Sequence, residues 1–84
     1  MKDCVQVVHD MLRIIIDALV DDTSNVLIHV LEGKTIVVFE VFLSRLDIGK
    51  VIGKQGATIQ SIRRILDGVS AKDQINYIIQ VVED

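Results

Sequence analysis

The 84-residue sequence has no proline and no tryptophan, and its one cysteine is Cys4. A lone cysteine excludes an internal disulfide and a zinc site built from several cysteines, so packing alone must stabilise the fold, as in a reducing compartment. The longest apolar run, residues 36–39, is far shorter than the roughly 20 residues of a membrane span. The amino terminus also lacks a secretory pattern. We therefore expect a cytosolic protein that does not enter a membrane.

Aromatic residues are scarce as well, since Phe39, Phe42 and Tyr77 are the only three. They leave few parts for a function that depends on stacking bases on exposed rings. Half of the residues are nevertheless hydrophobic and a quarter are charged, which is the balance of a folded protein and not of a disordered chain. The length suits one domain with an aliphatic core, because a second domain would have too little interior to bury.

Charge is distributed unevenly, although the net charge is only −3. Residues 44–64 contain five of the nine basic residues and one of the twelve acidic residues, which gives this segment a charge of +4 and the remainder −7. The same segment holds Gly49, Gly53 and Gly56, three of the five glycines. A ligand responds to the local field more than to the net charge, so this segment is the candidate site for an anionic partner.

The first half of the chain predicts a helix followed by a hairpin. Apolar residues recur every three or four positions over residues 3–20, which is the repeat of an amphipathic helix. Residues 26–31 and 35–43 are dense in β-branched residues around a turn at 32–34, and they predict two antiparallel strands. Both strands are apolar on both faces, so the face away from the helices is expected to be covered too, in one interpretation by a second copy of the chain. The helix stripe expected in the core is Val5, Val8, Leu12, Ile15 and Leu19.

The second half predicts two helices and a strand. Ser44 and Asp47 resemble a capping box, which predicts a short helix that ends near residue 52. A second helix is predicted from Ala57, with Gly68 as its expected stop, and alternating apolar residues at 74–82 predict a third strand. The order α-β-β-α-α-β predicts an α+β domain, in which helices pack on one face of a three-stranded mixed sheet.

Two common phosphate-binding patterns do not fit the glycine segment. A Walker loop has four residues between its glycines and ends in Lys-Ser or Lys-Thr, whereas three residues separate Gly49 from Gly53 here and Gln55 follows Lys54. A dinucleotide fingerprint would need a glycine at Val51 and a strand in front of it. An enzyme acting on a small phosphate ligand is the weakest hypothesis, because no base or nucleophile lies near the glycines.

The sequence VIGKQGATI instead predicts a sharp turn between two helices. The glycines of GKQG, residues 53–56, permit that turn and let another backbone approach it closely. Amides at the start of the following helix attract anions, and Lys54 lies at the tip of the turn. Ile52 and Ile59 lie beside it as the aliphatic floor of a groove for bases. Together these residues predict a clamp for a phosphate backbone.

The pattern V-I-G-x-x-G-x-x-I resembles the signature of KH domains, whose GXXG loop clamps about four nucleotides of single-stranded RNA or DNA. The extra helix and strand in front of it resemble the type II, bacterial arrangement. Length, element order and the sequence DIGKVIGKQG are most similar to the small stand-alone bacterial KH proteins called KhpA. The resemblance covers essentially the whole chain and is most specific over residues 47–66.

The resemblance implies a cytoplasmic, non-catalytic RNA-binding protein, with one KH domain over residues 1–84 and no metal or cofactor. It implies a role as an RNA chaperone or post-transcriptional regulator, self-association as a homodimer, and pairing with a larger KH protein, KhpB or Jag. Ala57 stands where many relatives carry a basic residue, which implies weaker phosphate binding. The residues implied to bind RNA are Gly53, Lys54, Gln55 and Gly56 in the loop, Ile52 and Ile59 in the groove, and Lys50 and Arg63 as charge partners.

A second hypothesis is a protein-interaction or assembly subunit whose nucleic-acid loop is vestigial. The doubly apolar strands and the net negative charge motivate it. The two hypotheses predict different behaviour, because an RNA-binding module retains RNA at low salt, whereas an assembly subunit binds a protein partner and no RNA.

Overall fold

The computed structural model describes residues 3–83, and its element order confirms the prediction of an α-β-β-α-α-β arrangement. The helices are α1 (Cys4–Leu19), α2 (Ile48–Ile52) and α3 (Ala57–Asp73), and the strands are β1 (Leu27–Glu32), β2 (Ile36–Phe42) and β3 (Asn76–Val82). Short 3-10 turns occupy Thr23–Asn25, Arg45–Asp47 and Lys54–Gly56. Over the described part of the chain, no helix combines the length and the apolar character needed to cross a bilayer.

The three strands form a mixed sheet in the order β1-β2-β3, as predicted. β1 pairs antiparallel with β2, with Leu27 opposite Phe42, and the Gly33 amide donates to the Ile36 carbonyl at 2.8 Å to close the hairpin. β3 pairs parallel with β2, with Ile36 opposite Asn76. Among the described strands only β2 pairs with β3, so the other side of β3 is an open edge.

The core lies between one face of this sheet and the three helices. Strand residues alternate between buried and less buried positions, as the period of two requires. Leucine, isoleucine and valine dominate the core, and the rings of Phe39 and Tyr77 lie 6.1 Å apart within it. The buried residues are Val5, Val8, Leu12, Ile16, Val20, Val26, Ile28, Val37, Phe39, Val41, Val51, Ile59, Ile62, Leu66, Tyr77 and Ile79.

The buried stripe of α1 departs from the prediction after its second turn. The stripe is correct as far as Leu12, but Ile16 is fully buried, whereas Ile15 and Leu19 are only partly buried. The predicted spacing averages about 3.5 residues per turn, while a straight α-helix has about 3.6. The buried face therefore drifts along the helix and reaches Ile16.

The end predicted for the helix that starts at Ala57 was wrong. α3 continues through Gly68 to Asp73, because Gly68 keeps a helical backbone and Val69 packs against the core. The helix ends where Gln74 adopts the left-handed conformation, with φ of 58°, and its amide donates to the Ser70 carbonyl at 2.8 Å. Gln74, and not Gly68, is therefore the residue at which the helix ends.

The sheet face opposite the helices is apolar and partly open. Within residues 3–83, Leu27, Leu31 and Ile36 on this face are 61%, 45% and 47% exposed. His29 and Glu40 lie opposite each other on the same face, with 3.2 Å between Nδ1 and Oε1. Cover by a second copy stays a prediction.

Candidate nucleic-acid interface

The GKQG turn, residues 53–56, is a defined bend between α2 and α3. Gly53 has φ of 78° and ψ of 171°, and Gly56 has φ of 76° and ψ of 12°. Gln55 also has a positive φ, 56°, although it is not a glycine. The amide of Gly53 donates to the carbonyl of Gly49 at 2.8 Å, and that of Gly56 donates to the carbonyl of Gly53 at 3.1 Å. Glycine makes this backbone path possible.

The two glycines of the turn have different physical roles. A β-carbon on Gly53 would collide with the side chain of Thr58 and would lie 2.8 Å from its backbone nitrogen, so the first turn of α3 leaves no room for a side chain there. A β-carbon on Gly56 would meet nothing within 4 Å, and only its positive φ favours glycine. Gly53 is thus required for packing, whereas Gly56 leaves open space above the start of α3.

The start of α3 is accessible to an anion. Gly56 is the residue before the helix, so no side chain caps the amides of the first turn, and that turn contains no acidic residue. One amide is already used, because Ala57 N–H donates to the carbonyl of Lys54. Lys54 and Gln55 are exposed at the tip, and Lys54 forms no ion pair with any described residue. The turn therefore presents a free ammonium beside uncapped backbone amides.

Asp47 ties the loop between α1 and β1 to the helix that precedes the turn. It is 2% exposed, and its carboxylate accepts the amides of Asp21 at 3.3 Å and Asp22 at 3.0 Å. Lys50 Nζ donates to Asp47 Oδ1 at 2.9 Å and to Asp21 Oδ2 at 2.7 Å. The prediction of a capping box was wrong, because the side chain of Ser44 makes no hydrogen bond that caps the helix start.

This network also shifts the protonation equilibria of its members. The Lys50 ammonium, followed by the Asp22 amide, holds the pKa of Asp47 below its ordinary value of 3.8. Hydrogen bonds to Asp21 and Asp47 raise the pKa of Lys50 above its ordinary value of 10.5. At neutral pH the charge of Lys50 is therefore balanced by two carboxylates, and it attracts a phosphate less than the charge of Lys54 does.

A groove of about 260 Å³ runs between α3 and β3. Gln60, Arg63 and Asp67 line it from α3, and residues 76–79 line it from β3. The three α3 residues lie on one helix face, because they are separated by three and four positions. Arg63, and not its neighbour Arg64, faces this groove. The groove begins one turn beyond the GKQG turn and offers both charges and amide groups.

The open edge of β3 faces the same groove. Asn76 N–H donates to the Thr35 carbonyl at 2.8 Å on the β2 side, whereas Tyr77 N–H donates to Ser70 Oγ of α3 at 3.0 Å. Because peptide groups alternate in direction along a strand, the N–H and C=O of Ile79 also point away from β2. The groove therefore has a backbone donor and acceptor in addition to its side chains.

The predicted site residues lie at different depths. Ile52 is half-buried and keeps part of its side chain exposed, whereas Ile59 is 4% exposed and belongs to the core. Of the predicted residues Ile52, Ile59 and Arg63, only Arg63 lines the groove between α3 and β3. Gln60 and Asp67 were not identified from the sequence, although their helical spacing from Arg63 is a signal that could have found them. The edge of β3 could not be identified from residue types, because it contributes backbone groups and not side chains.

A KH-domain model of KhpA/KhpB matches residues 9–81 of the chain. The chain belongs to the KhpA/KhpB family of KH domains. RNA-binding protein KhpA of Chlamydia caviae is 36% identical over 75 residues, which are 89% of this chain and 96% of that protein. RNA-binding protein KhpA of Chlamydia trachomatis is 32% identical with the same coverage, and that of Borreliella burgdorferi is 33% identical over 75% of this chain and 77% of its own.

No solved structure matches the chain. Membership of the KhpA/KhpB family confirms the resemblance seen in the sequence, and the element order and mixed sheet agree with a KH domain. The GKQG turn and the groove beside α3 both lie inside the part of the chain that the KhpA/KhpB model covers.

Proposed function

We propose that this KhpA/KhpB-family protein is a non-catalytic, cytoplasmic RNA-binding protein, formed by one KH domain over residues 1–84. The observation that carries the proposal is the GKQG turn, a glycine-dependent bend with an uncapped helix start and an exposed Lys54 that no acidic side chain of residues 3–83 neutralises. The names of the relatives from Chlamydia and Borreliella, RNA-binding protein KhpA, support RNA as the ligand.

In this proposal the phosphate backbone lies over the GKQG turn. Gly53 and Gly56 allow the strand to approach, Lys54 neutralises a phosphate, and Gln55 donates a hydrogen bond to the phosphate or sugar. The start of α3 adds its partial positive charge. Lys50 makes the smaller contribution, because its ammonium is held by Asp21 and Asp47 at 2.7 and 2.9 Å.

The bases then follow the groove between α3 and β3. Ile52, half-buried at the end of α2, contributes apolar surface beside the turn, Ile59 packs in the core behind it, and Arg63 contributes charge from the groove itself. The seven residues of β3 span about 23 Å, which suits the roughly four nucleotides that a KH domain contacts. The backbone of Ile79 can hydrogen-bond to a base edge, as open strand edges do.

Binding by one such domain is weak and sensitive to salt, because few phosphates are contacted and the rest of the chain is acidic. A homodimer would present two turns to one strand and increase the apparent affinity without any new contact. A KhpB-like KH protein is the proposed alternative partner, supported by a family model that includes both KhpA and KhpB. The family resemblance supports a role in RNA chaperoning or post-transcriptional regulation.

A second candidate function is an assembly subunit with a vestigial loop. The observation that favours it is the open, apolar sheet face with Leu27, Leu31 and Ile36 exposed. Such a protein would form a stable complex with a protein partner and would bind no single-stranded RNA even at low salt.

Replacement of both Lys54 and Gln55 by Asp tests the RNA-binding proposal. Asp tolerates the left-handed backbone at position 55, so the fold is expected to survive, which circular dichroism can check. Fluorescence anisotropy with a labelled single-stranded RNA at low salt should show at least about a tenfold loss of affinity. The control for charge alone is Lys34→Asp together with Thr35→Asp in the exposed hairpin turn, which changes the net charge by the same amount as the double variant. Unchanged RNA binding by a folded double variant would exclude the turn as the site.

A further inference from the structure

β1 is the other open edge of the sheet, because β2 is its only partner among the described strands. The Gly33 amide donates to the Ile36 carbonyl, and the register of β1 with β2 continues from that pair. Residues 27, 29 and 31 therefore direct their backbone N–H and C=O groups at β2, whereas residues 28, 30 and 32 direct theirs outward. Within residues 3–83 the outward groups of Val30 and Glu32 have no hydrogen-bond partner.

The β1 edge lacks the features by which proteins block the addition of another strand. Such features are lysine or proline on the edge strand and bulges that twist the strand away. β1 has the sequence LIHVLE, without lysine or proline, and it pairs with β2 over all six residues without a bulge. A regular and mostly apolar edge strand is a place where an extended chain can add as a further strand.

A cleft of about 320 Å³ lies between the β1 edge and the start of α1. It is lined by Asp3, Val5, Gln6 and His9 on the side of α1 and by Val30 and Glu32 of β1. Farther along α1 the gap is closed, because Arg13 donates to the Val26 carbonyl at 2.7 Å and to the Thr23 carbonyl at 3.1 Å. Since Val26 comes directly before β1, the open part of the edge is residues 28–32.

The lining of the cleft selects a basic occupant. Its charged groups are the carboxylates of Asp3 and Glu32, and none of the described residues that line it is a lysine or an arginine. Val5 and Val30 form the apolar part of the wall. A lysine or arginine side chain matches this arrangement, because its aliphatic stem can lie on the two valines while its cation contacts the carboxylates.

The same lining argues against two other occupants. RNA would place its phosphates next to two carboxylates, which repel them. A second copy that added its own β1 would bring no lysine or arginine into the cleft, because LIHVLE contains neither. The charge of the cleft therefore favours a different protein as the occupant.

The other face of the added strand would meet apolar neighbours. On that face of β1, Leu27 and Leu31 are largely exposed. Because side chains alternate along a strand, the occupant's residues between its basic ones would lie beside these leucines. The two faces together call for a segment in which basic and apolar residues alternate.

We propose that the β1 edge is a docking site for an extended segment of a partner protein with alternating basic and apolar residues. The segment adds to β1 as a fourth strand, with its basic side chains toward Asp3 and Glu32 and its apolar side chains beside Leu27 and Leu31. The site goes beyond the proposed RNA binding and does not depend on it, because the docked segment lies at the opposite edge of the sheet from the groove beside β3.

A labelled peptide of alternating lysine and valine, about seven residues long, tests the site. Fluorescence anisotropy should show that it binds the wild-type chain, and that binding weakens as salt is added. A peptide with glutamate in place of lysine should not bind. A peptide with two adjacent prolines at its centre should not bind either, because it loses a backbone donor to β1. Equal binding of the proline peptide would overturn strand addition.

Neutralising the cleft tests the charge match. Asp3→Asn together with Glu32→Gln should keep the fold, because asparagine caps a helix as well as aspartate does and Glu32 is exposed. Peptide affinity should fall by at least about threefold, the order expected when two exposed ion pairs are lost. Asp67→Asn together with Glu83→Gln, at exposed acids outside the cleft, is the matched control and should leave peptide affinity unchanged. Equal losses in the two double variants would overturn the site.

Hydrogen exchange at single amides locates the added strand. At saturating peptide the outward amides of Val30 and Glu32 should exchange at least about tenfold more slowly, while that of Ile79 at the β3 edge should not change. Slower exchange of Ile79 alone would place the peptide on β3 and overturn the proposal. Slower exchange of Val30 at high protein concentration without peptide would assign the edge to a second copy and overturn it too.

The double variant at Lys54 and Gln55 separates this site from the RNA site. It should bind the peptide at least as tightly as the wild type does, because the GKQG turn lies outside the cleft. Loss of RNA binding with peptide binding kept would support both proposals. Peptide binding without any RNA binding by the wild type would overturn the proposed function alone, and RNA binding without any peptide binding would overturn the docking site alone.

Discussion

The ammonium of Lys50 lies 2.9 Å from the carboxylate of Asp47, one helical turn before the GKQG turn. The same carboxylate accepts two amides from the loop between α1 and β1, about 25 positions earlier in the chain. A buried acid thus joins two distant segments, and the position of α2 relative to α1 depends on it. Since α2 leads directly into the turn, this network positions the proposed RNA site from behind.

Removal of the Asp47 carboxylate should destabilise the fold. In Asp47→Ala the amides of Asp21 and Asp22 and the ammonium of Lys50 lose their shared acceptor. Hydrogen bonds to a buried carboxylate are stronger than neutral ones, so we expect thermal unfolding about 5 °C or more below that of the wild type, with a smaller decrease for Asp47→Asn, which keeps one oxygen.

The matched control for this loss is Glu32→Gln, which neutralises an exposed carboxylate at the end of β1. It should leave the melting temperature nearly unchanged, because exposed charges contribute little. Equal melting temperatures for Asp47→Ala and the wild type would show that the network is not needed for stability.

The depressed pKa of Asp47 predicts an acid-sensitive fold. Because the pKa is lower in the folded state than the ordinary value of 3.8, the unfolded state binds more protons as the pH falls through that value. The stability contributed by Asp47 is complete above about pH 5 and is lost progressively below pH 4. Urea unfolding at a series of pH values should therefore show a flatter acid slope for Asp47→Asn than for the wild type. Parallel slopes would contradict this assignment.

The element order could be predicted from the sequence because periodicity is a local property. Apolar residues repeat every three or four positions in α1 and every two in β3, and both periods survive in the structure. The turn was also predictable, since Gly53 and Gly56 need positive φ wherever the rest of the chain lies. Such requirements depend on the residues themselves and not on contacts with distant parts of the chain.

Features that depend on distant partners could not be predicted. Asp47 has the spacing of a capping residue, yet its partners are Asp21 and Asp22, which only the tertiary fold brings close. Gly68 is a residue type that often ends a helix, but α3 continues beyond it because Val69 packs against the core. The edge of β3 contributes backbone groups, and no pattern of side chains in the sequence predicts their position.

The two lysines near the turn should respond differently to alanine. Lys54→Ala should lower RNA affinity and reduce the slope of log affinity against log salt by about 0.7, the value for one phosphate contact on a single strand. Lys50→Ala should mainly lower the melting temperature, because the Lys50 ammonium bridges Asp21 and Asp47. Salt titrations by fluorescence anisotropy, paired with thermal unfolding, separate these effects. The reverse pattern would assign the phosphate contact to Lys50.

The two glycines of the turn should tolerate substitution to very different degrees. Gly53→Ala places a β-carbon 2.8 Å from the Thr58 nitrogen at a φ of 78°, so we expect a loss of more than about 2 kcal/mol in the free energy of unfolding. Gly56→Asn enters open space, and asparagine tolerates the left-handed conformation, so the expected loss is under about 1 kcal/mol. Urea denaturation measures both.

Thr58→Ala distinguishes the two sources of strain at Gly53. Thr58→Ala removes the hydroxyl oxygen but keeps the β-carbon and the backbone nitrogen of residue 58, which would lie 2.7 and 2.8 Å from the new β-carbon, so it relieves only part of the collision. The Gly53→Ala variant should therefore be rescued only partly by Thr58→Ala, with the remaining loss set by these two contacts and by the positive φ. Complete rescue would mean that the side-chain atoms of Thr58 beyond its β-carbon alone require glycine at position 53. Equal stability of Gly53→Ala and Gly56→Asn would mean that the turn relaxes freely around either residue.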